Sequence, residues 1–168
     1  MKSNHYKFWK SVIDLKRCKR CKMSHGQIYK IDEDVDPFPP IHEHCRCVIA
    51  ALEAIIAGKA TNDGMNGADL WLKEFDKLPP YYISEGEALE LGWKNWLGNL
   101  SSVAPGKMLT KGVYKNRDGH LPASEGRIWY EADINYAGGF RGNSRILFSN
   151  DGLIFVTYDH YQTFSEIV

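Results

Sequence analysis

The chain has 168 residues, 43% hydrophobic and 12% aromatic, with 21 Lys and Arg set against 21 Asp and Glu. That length holds one full domain or a small unit plus a modest one, and the apolar content belongs to a folded core, which excludes an intrinsically disordered chain. The zero net charge hides an asymmetry: residues 1–60 carry 11 basic and 7 acidic side chains, a net of +4, whereas residues 61–168 carry 10 and 14, a net of −4. The second half therefore has no global field for a polyanion, and any nucleic-acid site within it has to be a local cluster.

Taken in chain order, Met1 to Lys10 places Lys2, Lys7 and Lys10 among polar residues with no apolar run behind them, which is not the pattern of a signal peptide. The longest apolar stretch, Val48 to Ala57, contains Glu53 and is too short to span a bilayer. No membrane partner is expected.

All four cysteines fall in the first 47 residues. Cys18-Lys-Arg-Cys21 and His42-Glu-His44-Cys45-Arg-Cys47 form two half-sites separated by 20 residues. CxxC facing HxxC is the spacing of a structural zinc knuckle, in which four soft or borderline ligands close a tetrahedron. Cys18, Cys21, His42 and Cys45 are the first ligand set, with Cys47 able to replace one of them. His44 reads as a bystander and His25 as an exposed surface residue. Two disulfides, or four unlinked thiols, are the alternatives. A unit of about fifty residues has little core and needs a staple, so residues 1–57 are taken as a small Cys/His module. With Gly26, Tyr29 and the run Pro39-Pro40-Ile41-His42-Glu43-His44-Cys45-Arg46-Cys47, residues 15–50 resemble the C-terminal end of phage head-morphogenesis proteins of the Mu F-like minor capsid kind. That resemblance implies a phage-derived or polymorphic-toxin vehicle.

Residues 58–67 contain three glycines and two asparagines and read as a linker. Beyond it Ala68, Trp71, Leu72 and Phe75 form one helical stripe, ended by Pro79-Pro80. Ser84-Glu85-Gly86-Glu87 is a capping box that opens a short helix, with Gly92 as its closing glycine. Asn99 to Ala104 is a third helical piece. From there the pattern changes to short segments rich in Ile, Phe, Tyr and Thr: Arg127–Asp133, Arg145–Ser149, Leu153–Thr157 and Thr163–Ile167. Helices followed by a meander of strands predict an α+β fold, with the helices packed on a four- to five-stranded antiparallel sheet over residues 68–168.

Glu131, Arg141, Arg145 and His160 stand on or beside successive predicted strands, which a meander gathers on one face. Cleaving RNA without a metal needs a base for the ribose 2′-hydroxyl, an acid for the departing 5′-oxygen and fixed cations for the phosphorus. This inventory supplies them, and Asp133, on the same face as Glu131, is placed to hold the arginines. Taken singly, each residue also fits an ordinary surface role.

The wider run makes the pattern specific. Tyr130-Glu131-Ala132-Asp133-Ile134-Asn135-Tyr136, Gly139-Phe140-Arg141, Arg145-Ile146-Leu147 and Asp159-His160-Tyr161-Gln162-Thr163-Phe164 resemble the barnase family of microbial guanyl-specific ribonucleases. So do Lys77-Leu78-Pro79, Leu91-Gly92-Trp93, Gly98-Asn99-Leu100, Val103-Ala104-Pro105-Gly106-Lys107 and Asn116-Arg117. The likeness covers about residues 61–168. It implies a metal-independent endoribonuclease acting on single-stranded RNA through a 2′,3′-cyclic phosphate. Glu131 would be the general base and His160 the general acid, with Arg141 and Arg145 as the phosphate clamp. Lys115, Asn116, Arg117, Asp118 and Tyr161 would contact the base or phosphate, with Asp133 beside them. It departs from the family at Glu85, where a catalytic lysine is usual, at Gly112, where an aspartate is usual, and at Asp118, where a glutamate is usual. Lys111 and Lys115 are the candidate substitute cations. No cofactor is expected for catalysis. The partners implied are single-stranded RNA and a barstar-like acidic immunity protein, with a monomeric chain made in the bacterial cytoplasm and delivered by its toxin or phage-derived vehicle. The alternative is a catalytically weakened RNA- or partner-binding module on a phage structural leader.

Overall fold

The computed structural model describes residues 1–168. The elements run β1 (Lys2–Lys10), α1 (Lys19–Ser24), β2 (Ile28–Lys30), β3 (Val48–Ile55), α2 (Ala68–Phe75), β4 (Tyr82–Ser84), α3 (Glu85–Glu90), α4 (Leu100–Val103), β5 (Met108–Tyr114), β6 (Trp129–Asp133), β7 (Arg145–Ser149), β8 (Ile154–Thr157) and β9 (Ser165–Ile167). Helices α2, α3 and α4 fall where the sequence places them, whereas α1, which begins inside the CxxC half-site, is not one the sequence predicts. Ser84 caps α3 through the Glu87 amide while the Glu87 carboxylate accepts from the Ser84 amide at 2.7 Å, and Gly92 closes that stretch at a φ of 95°.

The sheet is larger than expected. It has nine strands in the order β2-β1-β3-β9-β8-β7-β6-β5-β4, not four to five. The antiparallel meander β6 to β9 is the part expected from named segments, and β5 extends it by one antiparallel strand. β4 adds to one edge in parallel with β5, and β3 adds to the other edge in parallel with β9. The reason lies in Val48–Ile55: this apolar run is too short for a membrane but long enough for a strand, and it covers an edge that would otherwise stand open. No helix is long and apolar enough to cross a membrane.

Alternation along the strands gives each sheet face its own core. Ala132, Ile146, Ile154, Val156 and Ile167 lie on the face covered by α2, against Ala68 and Leu72. Trp129, Leu147 and Phe155 point the other way, and there Tyr6, Ile28 and Leu52 from the N-terminal segment join Leu121 and Phe164 in one cluster. Residues 1–57 thus bury side chains directly against the second half. The stretch read as a linker is fastened too. Asp69, fully buried in the first turn of α2, accepts from the amides of Gly58 and Ala60 at 2.7 and 2.9 Å and from Thr61 Oγ1 at 3.3 Å. Gly64–Asn66 forms a 3-10 turn.

Candidate active site and Cys/His cluster

Because Glu131 pairs with Leu147 and Asp133 with Arg145 across β6 and β7, all three polar residues share the face of Trp129 and Phe155, opposite α2. Asp133 is 2% exposed. Its carboxylate accepts from Arg141 Nε and Nη2, both at 2.6 Å. Arg145 Nε lies 3.1 Å from Asp133 Oδ1 as an ion pair, while Arg145 Nη1 donates to the carbonyls of Gly142 and Ser144 at 2.8 and 2.7 Å. Burial opposes the charge on Arg141, but the Asp133 bonds outweigh it and hold its guanidinium above the ordinary value. Asp133 is therefore spent on the two arginines and reaches a substrate only through them.

Glu131 is aimed by an irregularity in its neighbour. The β5–β6 register shifts between Thr110 and Gly112, so Gly112 sits opposite Glu131 with a φ of 71°, a conformation that favours glycine. The Tyr161 hydroxyl donates to Glu131 Oε2 at 2.5 Å. Burial pushes the Tyr161 phenol up, the Glu131 carboxylate adds to the rise, and Arg145 opposes it. The Tyr161 ring stacks on Tyr114 with centroids 5.3 Å apart and meets the His160 ring edge-on at 4.8 Å. Tyr161 thus lies between the two residues expected as base and acid. His160 and Tyr161 both have left-handed backbones, φ 58° and 69°. Asp159 holds that loop, accepting from the amides of Gln162 and Thr163 and from the hydroxyls of Thr157 and Thr163. Burial would raise the Asp159 carboxyl, yet these bonds hold it below the usual range. The spacing Thr157-x-Asp159-x-x-x-Thr163 could have disclosed this; sequence reasoning passed over it for the histidine.

A groove of about 550 Å³ collects Lys115, Asn116, Arg117, Asp118, Glu131 and Tyr161, with Glu85 and Lys111 at its wall. All five residues expected to contact the nucleobase or phosphate therefore line one cavity with Glu131, the expected general base. The Asn116 side chain does not face it freely: Nδ2 donates to the Leu121 carbonyl at 2.9 Å, and Oδ1 accepts from the Leu121 amide at 3.1 Å. This closes the loop and leaves its backbone to meet a ligand. Glu85 stands 3.7 Å from Lys111, so of the two substitute cations Lys115 is the one without an acid beside it. A separate hollow near Tyr81 and Tyr136 shares none of these residues.

Among the sequence-predicted ligands, Cys18 Sγ and Cys21 Sγ lie 3.3 and 3.1 Å from His42 Nε2, and Cys21 Sγ lies 3.9 Å from Cys45 Sγ. A zinc ion with bonds of about 2.3 Å to sulfur and about 2.0 Å to nitrogen sets tetrahedral edges of roughly 3.5–3.8 Å, and these separations lie about 0.1–0.4 Å from those edges. His42 Nδ1 is engaged with the Glu43 carbonyl at 2.8 Å, leaving Nε2 toward the sulfurs. All four cysteines are free thiols. Cys18 accepts from the Cys21 amide, which brings its thiol down to about 7. Cys47 is near Cys21 and Cys45 but is buried beside Trp9 and Val35. His44 points into solvent. His25, expected at the surface, is 7% exposed and accepts from the Ser11 amide at 3.0 Å; burial, then Arg17, holds its imidazole below the ordinary value. The sequence offered no sign that the residue capping the C-terminus of α1 would turn inward.

A protein-family model described as ribonuclease matches residues 74–168. The chain belongs to the ribonuclease family. A ribonuclease of Heyndrickxia coagulans is 47% identical over 102 residues, 61% of this chain and 94% of the relative. Ribonucleases of Bacillus intermedius and Bacillus pumilus are also 47% identical over 102 residues, there covering 63% of each relative. The barnase resemblance read from the motifs thus stands, and the ribonuclease half is an endoribonuclease enzyme. In the Heyndrickxia relative nearly the whole protein corresponds to this one half.

Proposed function

We propose that this ribonuclease prefers guanine and cuts single-stranded RNA in two steps. In the first, Glu131 takes the proton of the 2′-hydroxyl, the 2′-oxygen bonds to phosphorus, and the bond to the 5′-oxygen breaks as His160 gives that oxygen a proton. Arg141 and Arg145, set in place by Asp133, stabilise the charge gathered on the phosphate. In the second step water opens the 2′,3′-cyclic phosphate with the two residues in exchanged roles. The observation that carries this reading is the shared groove: Glu131 and Tyr161 open into the cavity lined by Lys115–Asp118, so a base held on that loop brings its own ribose to Glu131. Every catalytic group in the scheme is a side chain of this chain, so cleavage is independent of a metal.

The test compares GpN, ApN and CpN dinucleotides in EDTA. Faster cleavage of GpN with a cyclic guanosine phosphate as first product is the expected result. Equal rates on all three would remove the guanine assignment, and a linear first product would remove the mechanism. The ion pair of Glu85 with Lys111 favours a second reading, a slowed enzyme acting chiefly as an RNA-binding module; undetectable GpN turnover alongside tight guanosine monophosphate binding would select it. A barstar-like acidic inhibitor would present its carboxylates to Arg141, Arg145 and His160, and a toxin role with phage-derived delivery follows from the resemblance of residues 15–50. In that segment Cys18, Cys21, His42 and Cys45 would hold a structural zinc ion, supported by the Cys18–Cys21–His42 triad and by the approach of Cys45 to Cys21, which it shares with Cys47 in a second triad.

A further inference from the structure

The N-terminal segment does not end at its Cys/His cluster. Gly26, at φ 87°, sits so close to the Gln162 carbonyl that a side chain there would collide with it. The Ile28 amide donates to the His120 carbonyl at 2.8 Å, and His120 Nδ1 lies 3.2 Å from the Tyr161 carbonyl. The segment thus rests on the loop that carries His160. Immediately before this contact, Lys16, Lys19, Arg20 and Lys22 are all exposed. The nearest acid in sequence, Asp14, accepts from Nη1 and Nη2 of Arg46 at 2.7 and 2.8 Å. Lys22 is four residues from Gly26, and a chain spans at most about 3.6 Å per residue, so its Cα is within ~15 Å of Gly26, the residue that abuts the catalytic loop. The ribonuclease half is net negative and gives RNA no field of its own.

We infer that Lys16, Lys19, Arg20 and Lys22 form a phosphate-binding patch for the RNA strand on the 3′ side of the scissile bond, an extension of the substrate site supplied by the N-terminal segment. The side follows from the proposed role of His160: the acid faces the departing 5′-oxygen, and the strand beginning there leaves toward Gln162 and Gly26. The patch binds by charge without reading sequence, since contacts to phosphate position a strand and contacts to bases specify it.

The experiment uses the full chain and compares Lys19→Gln/Arg20→Gln/Lys22→Gln with Lys16→Gln/Lys22→Gln, whose changes lie outside the CxxC segment. Substrates are GpN and single-guanosine oligonucleotides extended on the 3′ or the 5′ side. The native chain should cleave the 3′-extended substrate faster than GpN, with a salt dependence that GpN lacks. Both variants should keep the GpN rate and lose that advantage. Removing three phosphate contacts should flatten the logarithmic salt slope by about 2, roughly a tenfold change in sensitivity between 50 and 200 mM salt. Unchanged cleavage of the 3′-extended substrate in both variants would overturn the patch, and a loss confined to 5′ extensions would overturn its placement. Ile13, Leu15 and Met23 are exposed nearby, so vesicles with and without anionic lipid form a further arm. Lipid binding lost in the variants with RNA cleavage intact would make this a membrane surface instead. Anisotropy with an oligonucleotide carrying 2′-deoxyguanosine, which lacks the attacking hydroxyl, tests the patch even if the cleavage mechanism proposed above fails.

Discussion

Asp133 and Cys21 occupy equivalent places in the two halves, each a buried residue around which the chemistry of its half is gathered. Asp133 fixes Arg141 and Arg145 by ion pairs between side chains of the chain itself, so that site is assembled by folding alone. Cys21 stands within reach of His42 and Cys45 but offers thiols, whose mutual attraction is weak until a cation draws off their protons. A site meant for a transient phosphate is best preorganised, whereas a staple for a thin core can leave its energy to a metal. The two halves should therefore respond oppositely to chelation.

That response is the largest effect expected. Structural zinc contributes on the order of 10 kcal/mol to the folding of small Cys/His units. Protein purified under reducing conditions should hold about one zinc ion, and chelation should release amide protection over residues 15–50 in hydrogen exchange while GpN cleavage persists. Cys45→Ser should abolish metal binding and Cys47→Ser should not. A native mass four units below that of the reduced chain, with no zinc, would show two disulfides and erase the contrast.

Within the ribonuclease half, His160→Ala and Glu131→Ala should each slow GpN cleavage by ~10²–10⁴-fold with thermal stability nearly unchanged, because His160 is exposed and Glu131 lies at a groove wall. Asp133→Ala should damage both properties. It strands two buried guanidinium groups, a change that typically costs about 3–5 kcal/mol, readable as a lowered urea midpoint. Stability equal to the parent would mean that the arginines are held by something other than Asp133.

How much of this was legible differs between the halves for the same physical reason. Ser84-Glu85-Gly86-Glu87, the stripe of α2 and the meander are local patterns, and Glu131, Asp133 and Arg145 could be placed on one face because strand alternation and register do so. The CxxC and HxxC half-sites were legible because metal geometry constrains spacing. What could not be read was contact between distant segments. Val48–Ile55 gives no local sign that it will pair with Ser165–Ile167, and Gly26 gives none that it will meet Gln162. The short Tyr161–Glu131 bond spans 30 residues and was equally hidden.

That pairing of distant segments can be tested on its core. Leu52 is 1% exposed and sits in the cluster with Tyr6 and Phe155, so Leu52→Ala should cost about 2–5 kcal/mol. A shortened chain starting at Asn62 should still cleave GpN, since the Heyndrickxia relative is made almost wholly of the matched stretch, but it should melt lower than the full chain. Equal melting temperatures would show that the N-terminal strands contribute nothing to the ribonuclease half.

The smallest effect concerns Asp151, in the turn between β7 and β8. Arg127 donates to it through Nε and Nη2, and Ser149 Oγ adds a further bond at 2.6 Å. The Arg127 guanidinium, then Ser149, hold its carboxyl down to about 2. A carboxyl whose folded value lies below the unfolded one, near 4, contributes stability that is fully present above about pH 4 and is lost as pH falls toward 2. Its side chain is 45% exposed, so screening keeps the contribution within the surface-pair range of about 0–1 kcal/mol. Asp151→Asn should therefore lower the melting temperature at pH 6 by no more than about 2–4 °C, and the gap should close by pH 2. A gap that stayed constant between pH 6 and pH 2 would mean that Asp151 acts through its neutral bond to Ser149 and not through its charge.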